Sequence, residues 1–286
     1  MNYSNKKPHI QLDSSIRTTA AILPGDPARV DTIASFLSDV REEAFNREYK
    51  SITGTYKGLR ILAISTGMGG PSAAICAEEL ADLGITHMIR IGSCGALQSS
   101  LRLGQLVICD RAVCDDGTSQ TYTEYLRYAA PDIPAALASE DDLTSNMCCS
   151  SQTLHTLGAG SIQYAYASPN LTKACAEAAK SLGFPYIVAP TRSHDGLYFK
   201  RKPQLDEFYS QKGIYASDME TAALFAVGTL RGIHTASILN TVVEWKKDLK
   251  EGISSYKNGE KDAADGERNE IILALEALAG QPVLIQ

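Results

Sequence analysis

The sequence predicts an α/β fold: a single domain on a central mixed, largely parallel sheet flanked by helices. Two observations carry this. Arg60-Ile61-Leu62-Ala63-Ile64-Ser65 is an apolar run of strand length that ends in the small-residue turn Thr66-Gly67-Met68-Gly69-Gly70-Pro71-Ser72. Ala73, Cys76, Ala77, Leu80 and Leu83 then fall at helical spacing before a second strand, Met88-Ile89-Arg90-Ile91, which makes a βαβ unit. Ligands of such sheets lie at the carboxyl ends of the strands, where Gly67 to Gly70 and Gly92-Ser93-Cys94-Gly95 both fall.

The other elements follow in order. Ala20-Ala21-Ile22-Leu23 is a short strand, Pro24-Gly25 a turn, and Asp26 the cap of a helix opening at Pro27, with Val30, Ile33, Ala34 and Leu37 in helical phase. Arg41 to Lys50 is charged, and Ile52 to Ile61 reads as a hairpin. Gln105 to Cys109 is a strand followed by a polar turn at Asp115 to Ser119. Tyr122 to Ala167 lacks sustained periodicity and reads as irregular structure or an insertion with a short helix. Leu171 to Leu182 is helical, Tyr186 to Pro190 a strand, Leu205 to Gln211 amphipathic, and Ser217-Asp218-Met219-Glu220 the opening of a helix that runs to Gly232. Thr235 to Val243 is a buried strand, Lys246 to Gly266 a polar stretch that reads as a mobile flap, and Asn269 to Leu278 the last helix.

Three charged residues stand out against this background. Arg90 lies inside an apolar strand, where a cation is costly unless an anion meets it. A buried Asp or Glu would satisfy it, but the small residues that follow resemble a phosphate-sized cradle, which is the preferred reading. Arg29, in the first turn of its helix, opposes the helix dipole; a bound anion or simple solvation explains it equally well. Glu220, among Met219, Ala222, Ala223 and Leu224, needs no more than the dipole, yet it is suited to accepting two hydrogen bonds from a diol.

Composition narrows the function classes. The 286 residues are 44% hydrophobic and carry a net charge of -6, so a general nucleic-acid surface is not expected. No apolar run follows the lysines of the first ten residues and none is long enough to span a bilayer, which predicts a cytoplasmic protein with no membrane partner. Seven cysteines without ligand spacing predict reduced thiols and no metal site.

Four blocks, in order, resemble the nucleoside phosphorylase family that contains uridine phosphorylases and hexameric purine nucleoside phosphorylases: Pro24 to Arg29, Ser65 to Ser72, Ile89 to Gly95 and Ser217 to Ala222. The resemblance implies one such domain over residues 1–286 that splits a nucleoside into free base and ribose 1-phosphate, with inorganic phosphate as co-substrate and no cofactor. It implies a phosphate site of Gly25, Arg29, Arg90 and Ser93, completed by Arg47 of a neighbouring subunit, although Arg47 by itself reads as a solvated strand residue. Met219 and Glu220 would hold the ribose, and His9, otherwise a disordered terminal residue, would reach the 5′-hydroxyl across a dimer interface. Gly95, Tyr198 and Arg201 would lie at the base, within a homo-oligomer built from dimers, a hexamer by the family pattern.

The base is read less directly. Asp116 to Ser119 and the Glu220 context are similar to the uridine branch, but its uracil-reading Gln and Arg are replaced by Phe199-Lys200-Arg201-Lys202-Pro203. The purine-branch Asp is also missing; Glu244 stands one residue beyond its place and would be the substitute catalytic acid. Uridine is preferred over a purine nucleoside. Three other readings stand beside it: a hydrolase of the same fold, a dinucleotide-binding dehydrogenase suggested by Gly67-Met68-Gly69-Gly70 without the full glycine spacing, and a non-catalytic nucleoside-binding homologue. The stretch near Ser139 to Ala167 looks longer than the family pattern and would reshape the pocket.

Overall fold

The computed structural model describes residues 6–129 and 162–281. Ten strands form one sheet: β1 (Ala20–Pro24), β2 (Ser38–Asn46), β3 (Tyr49–Tyr56), β4 (Leu59–Ile64), β5 (His87–Ala96), β6 (Leu106–Asp115), β7 (Tyr164–Tyr166), β8 (Tyr186–His194), β9 (Ala216–Asp218) and β10 (His234–Val243). Eight described α-helices accompany them: α1 (Pro27–Ala34), α2 (Gly70–Asp82), α3 (Gly117–Ala129), α4 (Pro169–Leu182), α5 (Lys202–Gln211), α6 (Thr221–Arg231), α7 (Leu249–Lys257) and α8 (Lys261–Ala279).

Strand β5 is the hub. It pairs in parallel with β1 on one edge and β10 on the other, and its last two residues pair antiparallel with β9. Because β10 continues through β6, β8 and β9 back to β5, five strands close into a ring, and β1, β4, β3 and β2 extend from it as a wing. The sheet is therefore mixed, as predicted. Along β1 the residues alternate faces, Ala20 and Ile22 joining the core under α1, α4 and α8 while Ala21 and Leu23 join the core under α2 and α6. A strand covered on both faces has no polar side, which is why it reads as an unbroken apolar run.

Several boundaries differ from the sequence reading. The glycine cluster after Arg90 is not a terminal turn: β5 runs through it to Ala96, because β10 and β9 supply hydrogen-bonding partners as far as Gly95 and Ala96. Arg41 to Lys50 is largely an exposed edge strand, β2, joined to β3 by a turn at Arg47 with φ 55°. The polar turn expected at Asp115 to Ser119 is shorter, since α3 starts at Gly117. Ser217 and Asp218 end strand β9 instead of opening a helix, and α6 begins after Glu220. Most of the stretch near 139–167 lies outside the described residues.

Lys246 to Gly266 is corrected from a flap to helix. Asp248 accepts a hydrogen bond from the Glu251 N–H at 2.9 Å, and Glu260 accepts from Ala263 N–H at 2.8 Å, so two caps lie in that polar stretch. Leu249, Ile253 and Tyr256 follow at helical spacing and pack on Val242, Val243 and Ala263. Helix α8 starts at Lys261, eight residues before Asn269, and docks where Gly266 meets Gly104: a Cβ on Gly266 would stand 2.7 Å from the Gly104 Cα. Gly104 has φ +74°, and a side chain there would strike the Asp262 carbonyl. Gly104→Ala should therefore cost about 2 kcal/mol or more by combining positive-φ strain with overpacking. Urea unfolding measures it, and an unchanged midpoint would show that α8 docks without this contact.

Candidate active site

The site grows from Arg90. On a strand, residues two apart share a face, so the guanidinium lies back over Gly92, where a Cβ would come within 2.6 Å of Nη2 and 2.8 Å of Cζ. Gly92 is thus the floor under Arg90. The Arg90 Nε donates to Asp218 Oδ2 at 3.2 Å and Nη2 to Glu220 Oε2 at 2.5 Å. Nη1 is buried with no hydrogen-bond partner among the described residues, and it lies 4.0 Å from where a Cβ of Gly25 would stand. Both alternatives read for Arg90 thus describe part of it: one edge is an internal ion pair, and the remaining Nη faces the Pro24-Gly25 turn. Burial works against the charge, but Glu220 and then Asp218 outweigh it and raise the guanidinium pKa.

The two acids are held differently. Asp218 Oδ1 accepts from Ser193 Oγ at 2.6 Å, and Oδ2 accepts from Thr221 N–H at 3.0 Å and Thr221 Oγ at 2.5 Å besides Arg90, so its lone pairs are spent on the fold. Glu220 has fewer partners. Its Oε1 accepts from the Gly69 N–H at 2.7 Å and its Oε2 from Arg90, so the Gly67 to Gly69 turn, with φ +69° and +95° at its glycines, is tied to the start of α6. Burial raises the Glu220 pKa against the pull of Arg90.

Arg29 is buried, which removes the solvated reading. Its Nη2 donates to Tyr256 Oη at 2.8 Å and Glu267 Oε2 at 3.1 Å, and Nη1 pairs with Glu270 Oε1 at 3.0 Å. Tyr256 in turn donates to Glu267. Helix α8 therefore supplies the negative charge that a cation at a helix N-terminus requires, and α7 adds a neutral hydroxyl. Glu270 also feels Arg90, more weakly than Arg29, so the two arginines are joined through one carboxyl.

The other predicted residues are dispersed around this centre. Ser93 lies half-buried on β5 opposite Asn240, Gly95 pairs with Ser217, and Met219 is half-buried between the two acids. His9 is ordered: its Nδ1 lies 2.6 Å from Glu79 Oε1 on α2, and its carbonyl accepts from Asn46. Arg47 is exposed beside Glu48, on the turn between β2 and β3. Tyr198 is 67% exposed with its ring 5.9 Å from Lys250 Nζ, and Arg201 is exposed at the start of α5. Glu244 is half-buried just past β10, its carbonyl accepting from Lys247 N–H.

Two features near the ring escaped the sequence reading. Arg192 on β8 is buried, forked between Asp115 at 2.6 Å and Asp206 at 3.0 Å, and stacked 4.7 Å from the Tyr209 ring. A cation in the buried Thr191-Arg192-Ser193 is the same signal that marks Arg90. Glu267 falls just past the polar stretch, and Glu270 lies inside the predicted last helix, where it sits in the apolar phase.

Asp218→Ala should cost about 3–5 kcal/mol, because it leaves part of a buried guanidinium uncompensated; a loss under about 1 kcal/mol in urea unfolding would show that Asp218 is not the anchor. His194 and His87 are buried and held near pKa 4, below the 6.5 of the free side chain, chiefly by burial. The unfolded chain therefore binds more protons between those values, and stability present above pH 6.5 should fall as pH drops toward 4. His194→Gln should flatten that slope in unfolding free energy; an unaltered slope would exclude His194 as its source.

Comparison with known proteins gives the family. Residues 19–265 match the phosphorylase superfamily. The chain is 34% identical over 229 residues to a uridine phosphorylase of Thermococcus kodakarensis, covering 76% of this chain and 70% of the relative. It is 28% identical over 277 residues to a guanosine phosphorylase of Halorubrum lacusprofundi, covering 96% and 98%. The crystal structure of uridine phosphorylase from Vibrio fischeri ES114 superposes with a TM-score of 0.78 at 35% identity, covering 98% of this chain and all of that one. Matched over most of its length, the chain belongs to the phosphorylase superfamily.

Proposed function

We propose that the chain catalyses phosphorolysis of uridine to uracil and ribose 1-phosphate, as a pentosyltransferase that uses inorganic phosphate as co-substrate and needs no cofactor. One observation carries the reading: Arg90 turns two nitrogens toward Asp218 and Glu220 and its remaining Nη toward Gly25, so a single guanidinium connects an anion pocket with a buried carboxylate. Cleavage of the N-glycosidic bond builds positive charge on the ribose as the base departs. A phosphate dianion beside C1′ both stabilises that charge and attacks the carbon. Each Glu220 oxygen already takes one donor, Gly69 N–H or Arg90, and keeps a lone pair for a sugar hydroxyl. Met219 packs on the ribose. Arg29 and Ser93 complete the phosphate pocket with Gly25.

Uridine phosphorylases among the relatives, together with the Glu220 context, favour a pyrimidine. A purine nucleoside is the second reading, favoured by a guanosine phosphorylase that aligns along nearly the whole chain, with Glu244 as the acid. Gly95, Tyr198 and Arg201 border the base in either case. The active unit is a homo-oligomer built from dimers, a hexamer by the family pattern, in which Arg47 and His9 act on a neighbouring subunit; both already lie at the surface, Arg47 on an exposed turn and His9 against Glu79. The reading includes a cytoplasmic location; no described helix is long and apolar enough to cross a membrane.

The test is base release from uridine, thymidine, inosine, guanosine and adenosine with and without phosphate. Uridine should be cleaved fastest, only with phosphate, giving ribose 1-phosphate. Glu220→Ala should lose about 10²-fold or more in kcat/KM. Cleavage that proceeds equally well in phosphate-free buffer would make the chain a hydrolase, and no cleavage of any nucleoside would make it a binding protein.

A further inference from the structure

The anion end of the pocket holds more acid than its arginines offset. Arg29 and Arg90 are met by Asp218, Glu220, Glu267 and Glu270. With all four acids ionised, a phosphate dianion would enter a site that is already negative. Three of the four are otherwise engaged: Asp218 by Thr221 and Ser193, Glu220 by Gly69, and Glu267 by Tyr256. Glu270 is fully buried, and its ion-pair partner is the Arg29 Nη1 at 3.0 Å, one of the groups assigned above to phosphate.

We propose that Glu270 is an internal competitor for the phosphate site: ionised, it occupies the charge of Arg29, and it must take up a proton from solvent for the phosphate dianion to bind. This rests on the phosphorolysis reading and adds a residue that sets phosphate affinity through Arg29. Where Glu270 is ionised, one proton is gained per phosphate bound, with no bond of the nucleoside involved. The groups facing Glu270 are Arg29 on α1, Tyr256 on α7, Glu267 on α8, and Arg90 and Cys94 on β5, with Asp218 and Glu220 behind Arg90. Burial raises Glu270 to about 8, whereas Tyr256 and Cys94 are pushed to about 12 and the arginines stay charged. Glu270 therefore changes charge just above neutrality; Glu220 is also raised by burial, against the pull of Arg90, and the Glu270→Gln comparison separates the two.

Inorganic phosphate alone, titrated calorimetrically into the nucleoside-free protein, tests this. Wild-type affinity for the phosphate dianion, corrected for the second ionisation of free phosphate near pH 7, should fall about tenfold from pH 7 to pH 9, and buffers of different ionisation enthalpy should show close to one proton taken up per phosphate at about pH 9. Glu270→Gln, which keeps the shape and removes the charge, should hold the affinity for the dianion within about twofold over that range and abolish the proton uptake at about pH 9. Phosphate binding by wild type with no proton uptake at pH 9 overturns the proposal even if the variant does not fold. Parallel pH dependences in wild type and variant overturn it while leaving phosphorolysis intact. No phosphate binding by either protein at any pH overturns both.

Discussion

A guanidinium buried inside a parallel strand is the constraint from which the site follows. Arg90 cannot remain charged in the middle of β5 without anions beside it, and those anions come from one short segment, Asp218 to Glu220, where β9 gives way to α6. Gly92 must lack a side chain so that the guanidinium can lie over the strand, and the Gly69 N–H must point inward so that Glu220 is held from the other side. Two of the glycine-rich stretches are thus explained by a single cation: one clears space for it, and the other fixes its partner.

The division between Asp218 and Glu220 is equally physical. Asp218 is saturated by hydroxyls, a backbone N–H and Arg90, so it is a structural anchor. Glu220 keeps acceptor capacity, and burial presses it toward the neutral form while Arg90 presses it toward the charged one. A carboxylate in that balance holds a hydrogen-bond donor more strongly than one in water, because the surrounding protein screens the interaction less.

The closed ring of β5, β10, β6, β8 and β9 explains why the site is assembled from distant parts of the chain. Closure brings the ends of β5 and β9 together and lets α8, which follows β10, reach the start of α1. Helices α7 and α8 seat Tyr256, Glu267 and Glu270 on Arg29, and the contact of Gly104 with Gly266 sets the depth at which α8 docks. The surroundings of Arg29 and Arg90 are consequently governed by the last helices of the fold as much as by the turn that carries Gly25.

Local chemistry determined what the sequence by itself revealed. The βαβ unit around Gly67 to Gly70, the Asp26 cap, the stop at Gly232 and the misplaced cation at Arg90 all depend on residues close in the chain. The polar stretch from Lys246 reads as a flap, not as helix, because its apolar positions, Leu249, Ile253 and Tyr256, are sparse and acquire their partners only from β10 and α8. Tertiary structure alone decided that Arg90 pairs with acids about 130 residues away, that Arg29 is enclosed by Glu267 and Glu270, and that β5 continues through its glycines. Periodicity and capping record short-range geometry, whereas pairing between buried charges is set by strand order and helix docking, which no local spacing encodes.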